Sequence, residues 1–227
     1  DGKYAFLSVE LEGVYILDIS DPANIRLVSQ IIPPTNQAYW VISQFPNVYI
    51  ADGPEGILIY NIRQPDRPRL SSSFDTKGWA WGLFLNGSDL YVADKSGGIV
   101  ILDVSNPGSP VKKGQFIGMK NAKTIQIEEN FAYVANGPDG LWILDISNPE
   151  IPSLVAKVPV DGYAYHASKT GNTLFIANEI GKRIEMIDVT NPRKPVNVGA
   201  YDSDSKVYYA IKQDVYVYIA GDDKTII

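Results

Sequence analysis

Apolar and polar residues alternate with a period of two in short runs along the chain, with no helical pattern among them. The runs are four to eight residues long and are bounded by Gly, Pro, Asn and Asp clusters, which predicts antiparallel strands joined by tight turns. Between Ala122 and Val158 they read AKTIQIEE, FAYVAN, LWILDIS and SLVAKV, with turns at EN, GPDG and NPEIP. Fourteen Tyr, seven Phe and four Trp among recurring Val and Ile suit a pleated, half-buried surface.

This four-run unit repeats. The aromatics that open each second run are Phe6, Tyr49, Tyr91, Tyr133, Phe175 and Tyr218, always 42 or 43 residues apart. Asp18, Asn61, Asp103, Asp145 and Asp188 keep the same step, as do Pro22, Pro65, Pro107, Pro149 and Pro192. Four strands in a period of about 40 to 45 residues predict an all-β fold, a β-propeller of four-stranded antiparallel blades. A sheet apolar on both faces needs a neighbour on each side, and a radial arrangement supplies both. Six strand-openers point to six blades in a single domain over residues 1–227. The chain is about 25 residues short of six full units, as a fragment or processed form would be.

The recurring acid and proline are read as architecture. Alternation sends side chains toward both neighbouring blades, and an acid at a strand end can accept N–H bonds from the turn that follows. Proline then fixes φ and withholds a donor, so the ladder stops. Metal sites on these acids would need a second ligand at constant offset, which the sequence lacks.

Composition removes several classes. A formal charge of −6 and a pI near 4.8 argue against a nucleic-acid surface. Without Cys there is neither a disulfide framework nor a thiolate site. No apolar run is long enough for a membrane-spanning helix, so no direct membrane insertion is expected.

The segments AYVANGPDGLWILDISNPEIPSLVA (from Ala132), VYIADGPEGILIYNI (from Val48) and LYVADKSGGIVILDVSNPGSPV (from Leu90) resemble the LVIVD-repeat family across essentially the entire chain. Departures are local: SVELEG replaces ADGPEG in the first copy, and Asn61 replaces the acid in the second. The resemblance implies a propeller of bacterial or archaeal secreted or cell-surface proteins, hence an extracellular location. It implies no reaction and no catalytic residues.

Function on such a scaffold is expected on loops held by rigid sheets. One loop face would gather acids, among them Glu10, Asp52 and Asp94, with an aromatic column at Tyr39, Trp81, Tyr165 and Tyr208, interrupted by Lys123, and with Trp79 and Tyr163 two positions earlier. Tyr39, Trp79, Trp81, Tyr163, Tyr165 and His166 are therefore candidate ligand-binding residues, a stacking platform for a sugar or cationic peptide. The competing reading makes the column inter-blade packing, and makes His166 a structural histidine. Asp202, Asp204, Asp222 and Asp223 are candidate Ca²⁺ ligands, although neither acidic stretch matches an EF-hand loop. Asn86 begins an N-glycosylation pattern that also reads as an Asn-Gly turn. The expected function is a non-enzymatic surface or secreted module for protein or glycan contact or structural self-assembly. The alternative is a metal-assisted hydrolase or lyase with a pocket at the channel mouth.

Overall fold

The computed structural model describes residues 2–222 and 225–226. Its strands form consecutive antiparallel meanders. The first sheet is β1 (Tyr4–Val9), β2 (Gly13–Asp18) and β3 (Arg26–Ile31). The second is β4 (Trp40–Gln44), β5 (Asn47–Ala51), β6 (Ile57–Asn61) and β7 (Arg69–Phe74), and the third is β8 (Gly82–Asn86), β9 (Asp89–Ala93), β10 (Ile99–Asp103) and β11 (Val111–Phe116). The fourth is β12 (Thr124–Glu128), β13 (Phe131–Ala135), β14 (Leu141–Asp145) and β15 (Ser153–Val158). The fifth is β16 (Ala164–Thr170), β17 (Thr173–Asn178), β18 (Arg183–Asp188) and β19 (Val196–Asp202), followed by β20 (Val207–Gln213), β21 (Tyr216–Gly221) and β22 (Thr225–Ile226). The fold is all-β and consistent with a propeller. Four sheets have four strands and two have three among the described residues, so the blade count is not fixed by the sheets alone.

The chain divides into two compact units, 1–113 and 114–227, with the sequence boundary falling within β11. In the first, alternation along β5 divides its side chains between two cores. Val48 and Ile50 pack with Val14 and Ile16 of β2, while Tyr49 and Ala51 pack with Leu83 of β8 and Leu90 and Val92 of β9. The second unit repeats the device on β17. There Leu174 and Ile176 face Tyr133 and Ile143, and Phe175 and Ala177 face Val207 and Ala210. Each central sheet is thus apolar on both faces, as period-two patterning requires.

The acid column does what its position predicts. Asp18, Asp103, Asp145 and Asp188 each accept a backbone N–H from the residue two positions on, at 2.8–3.0 Å. Asn61 keeps that bond without the charge, accepting from Arg63 N at 3.0 Å. A β-bulge recurs between the last two strands of a sheet, at Ile16/Leu17, Ile59/Tyr60, Ile143/Leu144 and Met186/Ile187. Bulges strengthen strand twist, so this one repeats a local shape as well as a sequence.

Candidate functional site

In the first unit, the turns between second and third strands are closed by Asp52 N–H to Gly56 O and by Asp94 N–H to Gly98 O, each 2.9 Å. Gly56 is required at its turn. Its φ is +79°, and a Cβ there would stand 2.3 Å from the Phe74 carbonyl oxygen. Asp52 and Asp94 point inward and are fully buried, although sequence reasoning places them among exposed loop acids. Asp94 Oδ1 accepts from Thr76 Oγ1 at 2.6 Å, and Asp52 Oδ1 accepts from Thr35 Oγ1. Burial pushes both carboxyls up to about 6, with the threonine hydroxyls partly opposing the shift.

Beside these turns the candidate aromatics come together. Gly53 and Ala80 exchange two backbone hydrogen bonds, at 3.2 and 2.9 Å, which seats the neighbouring Trp79 over Gly53. Tyr39 stacks on Trp81 at a centroid distance of 4.2 Å and lies 6.1 Å from Trp79. The Lys95 ammonium lies over all three rings, 4.3 Å from Trp81, 4.5 Å from Trp79 and 5.9 Å from Tyr39. Such contacts are worth about 0.5–2 kcal/mol, more as water is excluded. Lys95 is also conformationally unusual: its φ is +45°, at a position that Gly53 and Gly137 occupy one repeat away with φ +57°. A side chain in that region costs about 1 kcal/mol, and such strain concentrates at functional sites. Desolvation lowers the Lys95 pKa, and the nearby Glu10 carboxylate opposes the shift. The Glu10 carbonyl accepts Ala38 N–H at 3.3 Å, which holds this exposed acid next to Tyr39.

The second unit holds a related group. Lys123 lies 4.7 Å from the Tyr165 ring and 5.6 Å from the Tyr163 ring, and Tyr165 meets Tyr208 edge-on at 5.3 Å. Here the lysine rises from the aromatic column itself. His166 is buried against Tyr209 at 4.2 Å, and burial lowers its pKa to about 4, so it is neutral at ordinary pH. The six aromatic and histidine candidates thus fall into a trio around Lys95, a pair around Lys123 and a buried ring.

Each described acidic candidate has a partner of its own. Asp202 pairs with Arg183 Nε at 3.3 Å, the Asp204 carbonyl accepts from Lys182 Nζ at 3.3 Å, and Asp222 accepts from Tyr208 Oη at 2.7 Å. Asp223 lies outside the described residues. Among the described residues no three His, Cys, Asp or Glu side chains stand together as a metal ion would require. Sequence reasoning passed over Lys95 because a lone lysine in a polar turn looks solvated. Its place in a glycine column was the available signal.

The LVIVD repeat model matches residues 1–31, 77–117 and 120–160. No curated protein is significantly similar in sequence. Among solved structures, a Bacteroides fragilis protein assigned as a 6-phosphogluconolactonase aligns at TM-score 0.80 and 15% identity, over 98% of this chain and 75% of that one. The periplasmic gluconolactonase PpgL of Pseudomonas aeruginosa aligns at TM-score 0.77 and 13% identity, over 98% and 71%. The computationally designed Ika8 protein aligns at TM-score 0.75 and 10% identity, over 99% and 67%. At such identities the likeness is one of fold, and the fold is of the propeller kind. It corrects the expectation of a non-enzymatic module, because this architecture serves gluconolactonases and so gives no ground for a non-enzymatic assignment.

Proposed function

We propose that this LVIVD-repeat protein is a hydrolytic enzyme for a small uncharged ring ester of the sugar-lactone class, acting where Glu10, Lys95 and the Tyr39–Trp79–Trp81 wall meet. The six sheets are read as six blades that carry this site on their loop face. The observation that carries the proposal is Lys95, a strained, partly desolvated ammonium set over three aromatic rings and within the electrostatic reach of the exposed Glu10 carboxylate. Fold-level likeness to gluconolactonases supports the reaction class as analogy only.

The chemistry needs one base and one cation. Glu10 takes a proton from water as the water oxygen bonds to the ring carbonyl carbon. The carbonyl oxygen becomes negative and is stabilised by the Lys95 ammonium in a site of reduced water. The ring C–O bond then breaks, Glu10 returns its proton to the departing oxygen, and the product is an open hydroxy acid. Aromatic faces hold the ring in register. With a single lysine opposed by Glu10, an uncharged lactone fits better than a phosphorylated one.

Ring-opening of glucono-1,5-lactone and its 6-phosphate, followed as acid release, tests this reading. Saturable acceleration is expected, with kcat/KM higher for the uncharged lactone. Glu10→Gln should lower kcat about 10²- to 10⁴-fold without loss of stability, since Glu10 is exposed. Equal rates for Glu10→Gln and the parent would remove the base from the scheme.

A further inference from the structure

Six arginines occur in the chain, and three of them, Arg63, Arg67 and Arg69, fall within seven residues of the turn between β6 and β7. This turn lies at the opposite end of β6 from Gly56 and so from the loops that carry the aromatic wall. The other three arginines are neutralised: Arg26 by Asp18 at 3.3 Å, Arg193 by Asp145 at 2.9 Å, and Arg183 by Asp161 and Asp202, both at 3.3 Å. Arg63 and Arg69 pair with no carboxylate among the described residues. Arg67 meets only the exposed Asp66, at 3.9 Å, which contributes little.

The local acid has also been removed. At this turn alone the column that reads Asp18, Asp103, Asp145 and Asp188 reads Asn61, and Asn61 still caps the turn through Arg63 N–H. The mechanical role survives while the negative charge is gone. In a chain of formal charge −6, the result is a cationic turn with unspent guanidinium groups.

The turn borders a groove. Asn61, Arg63, Gln64, Arg67 and Arg69 line a recess of about 390 Å³. Through Asn61 and Arg63 it runs into an open recess of about 620 Å³, lined also by Ser71 and Ser88 and by Ser105, whose hydroxyl bonds to Asp103. Guanidinium forks match tetrahedral oxyanions in two-point hydrogen bonds, and hydroxyls suit a sugar-like body.

We infer that this groove binds a sugar-sized ligand bearing a phosphate or sulfate ester, with the ester on Arg63 and Arg69 and the body along the serines. The site is independent of the lactone chemistry above.

Calorimetric titration of the full chain with glucose 6-phosphate, glucose 6-sulfate and glucose tests the assignment. Saturable binding of at least one ester is expected, weakening steeply with salt, and the stronger ester identifies the natural group. Arg63→Gln with Arg69→Gln should abolish it. Asn61→Asp, which restores the cap found in the other repeats and therefore folds, should weaken it at least fivefold, while Lys95→Gly leaves it unchanged. No saturable binding of either ester, equal binding of glucose, or undiminished binding in the double variant would overturn the inference.

Discussion

Thr76 Oγ1 donates to Asp94 Oδ1 at 2.6 Å, in the turn where, one repeat later, Asn136 Oδ1 accepts from Asn121 N–H at 3.0 Å. The same buried post is thus held by a carboxyl in two repeats, Asp52 and Asp94, and by an amide in the next two, Asn136 and Asn178. An unfolded Asp loses its proton near 3.8 and buried Asp94 near 6, so between these values the folded chain holds more protons and stability falls as pH rises. The loss is about 3 kcal/mol once pH passes 6. Asp94→Asn has no such loss. It should be more stable than the parent by about 1–3 kcal/mol at pH 7.5, with the difference closing near pH 4. Urea unfolding at the two pH values measures this, and a difference independent of pH would refute the burial account.

His166 has the opposite sign. Its folded pKa is near 4 against 6.5 unfolded, so its contribution is whole above 6.5 and is lost as pH falls toward 4. As the only histidine, it gives one imidazole signal. That signal should not move in NMR spectra between pH 8 and 5.5, and a midpoint near 6.5 would mean that the ring is solvated.

Lys95 joins a backbone cost to a side-chain gain, and two substitutions separate them. Lys95→Ala keeps the left-handed strain and loses the ring contacts, whereas Lys95→Gly loses both. The glycine variant should therefore be about 1 kcal/mol more stable than the alanine variant in chemical denaturation. Equal stability would show that the backbone there is unstrained.

Gly56 and Gly87 have positive φ of +79° and +63°, but only Gly56 is enclosed by backbone. Gly87→Ala should cost about 1 kcal/mol from strain alone. Gly56→Ala must also displace the Phe74 carbonyl, and a drop in Tm several times larger is expected. Similar drops would argue against the tight turn.

Strand positions and the four-strand unit are legible in the sequence because period-two alternation and the acid and proline columns are local. Val48 and Tyr49 take opposite cores as alternation requires. The site is less legible. Burial of Asp52 and Asp94 depends on backbone folding over them, as the closeness of Gly78 and Gly97 to Asp94 shows, and nothing in a run such as ADKSGG distinguishes an inward acid from a solvated one. Asp202 and Asp204 look like a metal pair by spacing, yet Arg183, far away in sequence, takes the first. Lys95 and Asn61 stand out only when each is compared with its column.

The most direct test is the rate of glucono-1,5-lactone opening by the parent chain and by Lys95→Gly, measured together with their unfolding midpoints. Saturable acceleration by the parent, reduced about 10²- to 10³-fold in a variant that remains folded at the assay temperature, is the predicted result. A parent no faster than buffer, or a Lys95→Gly chain as fast as the parent, would contradict it.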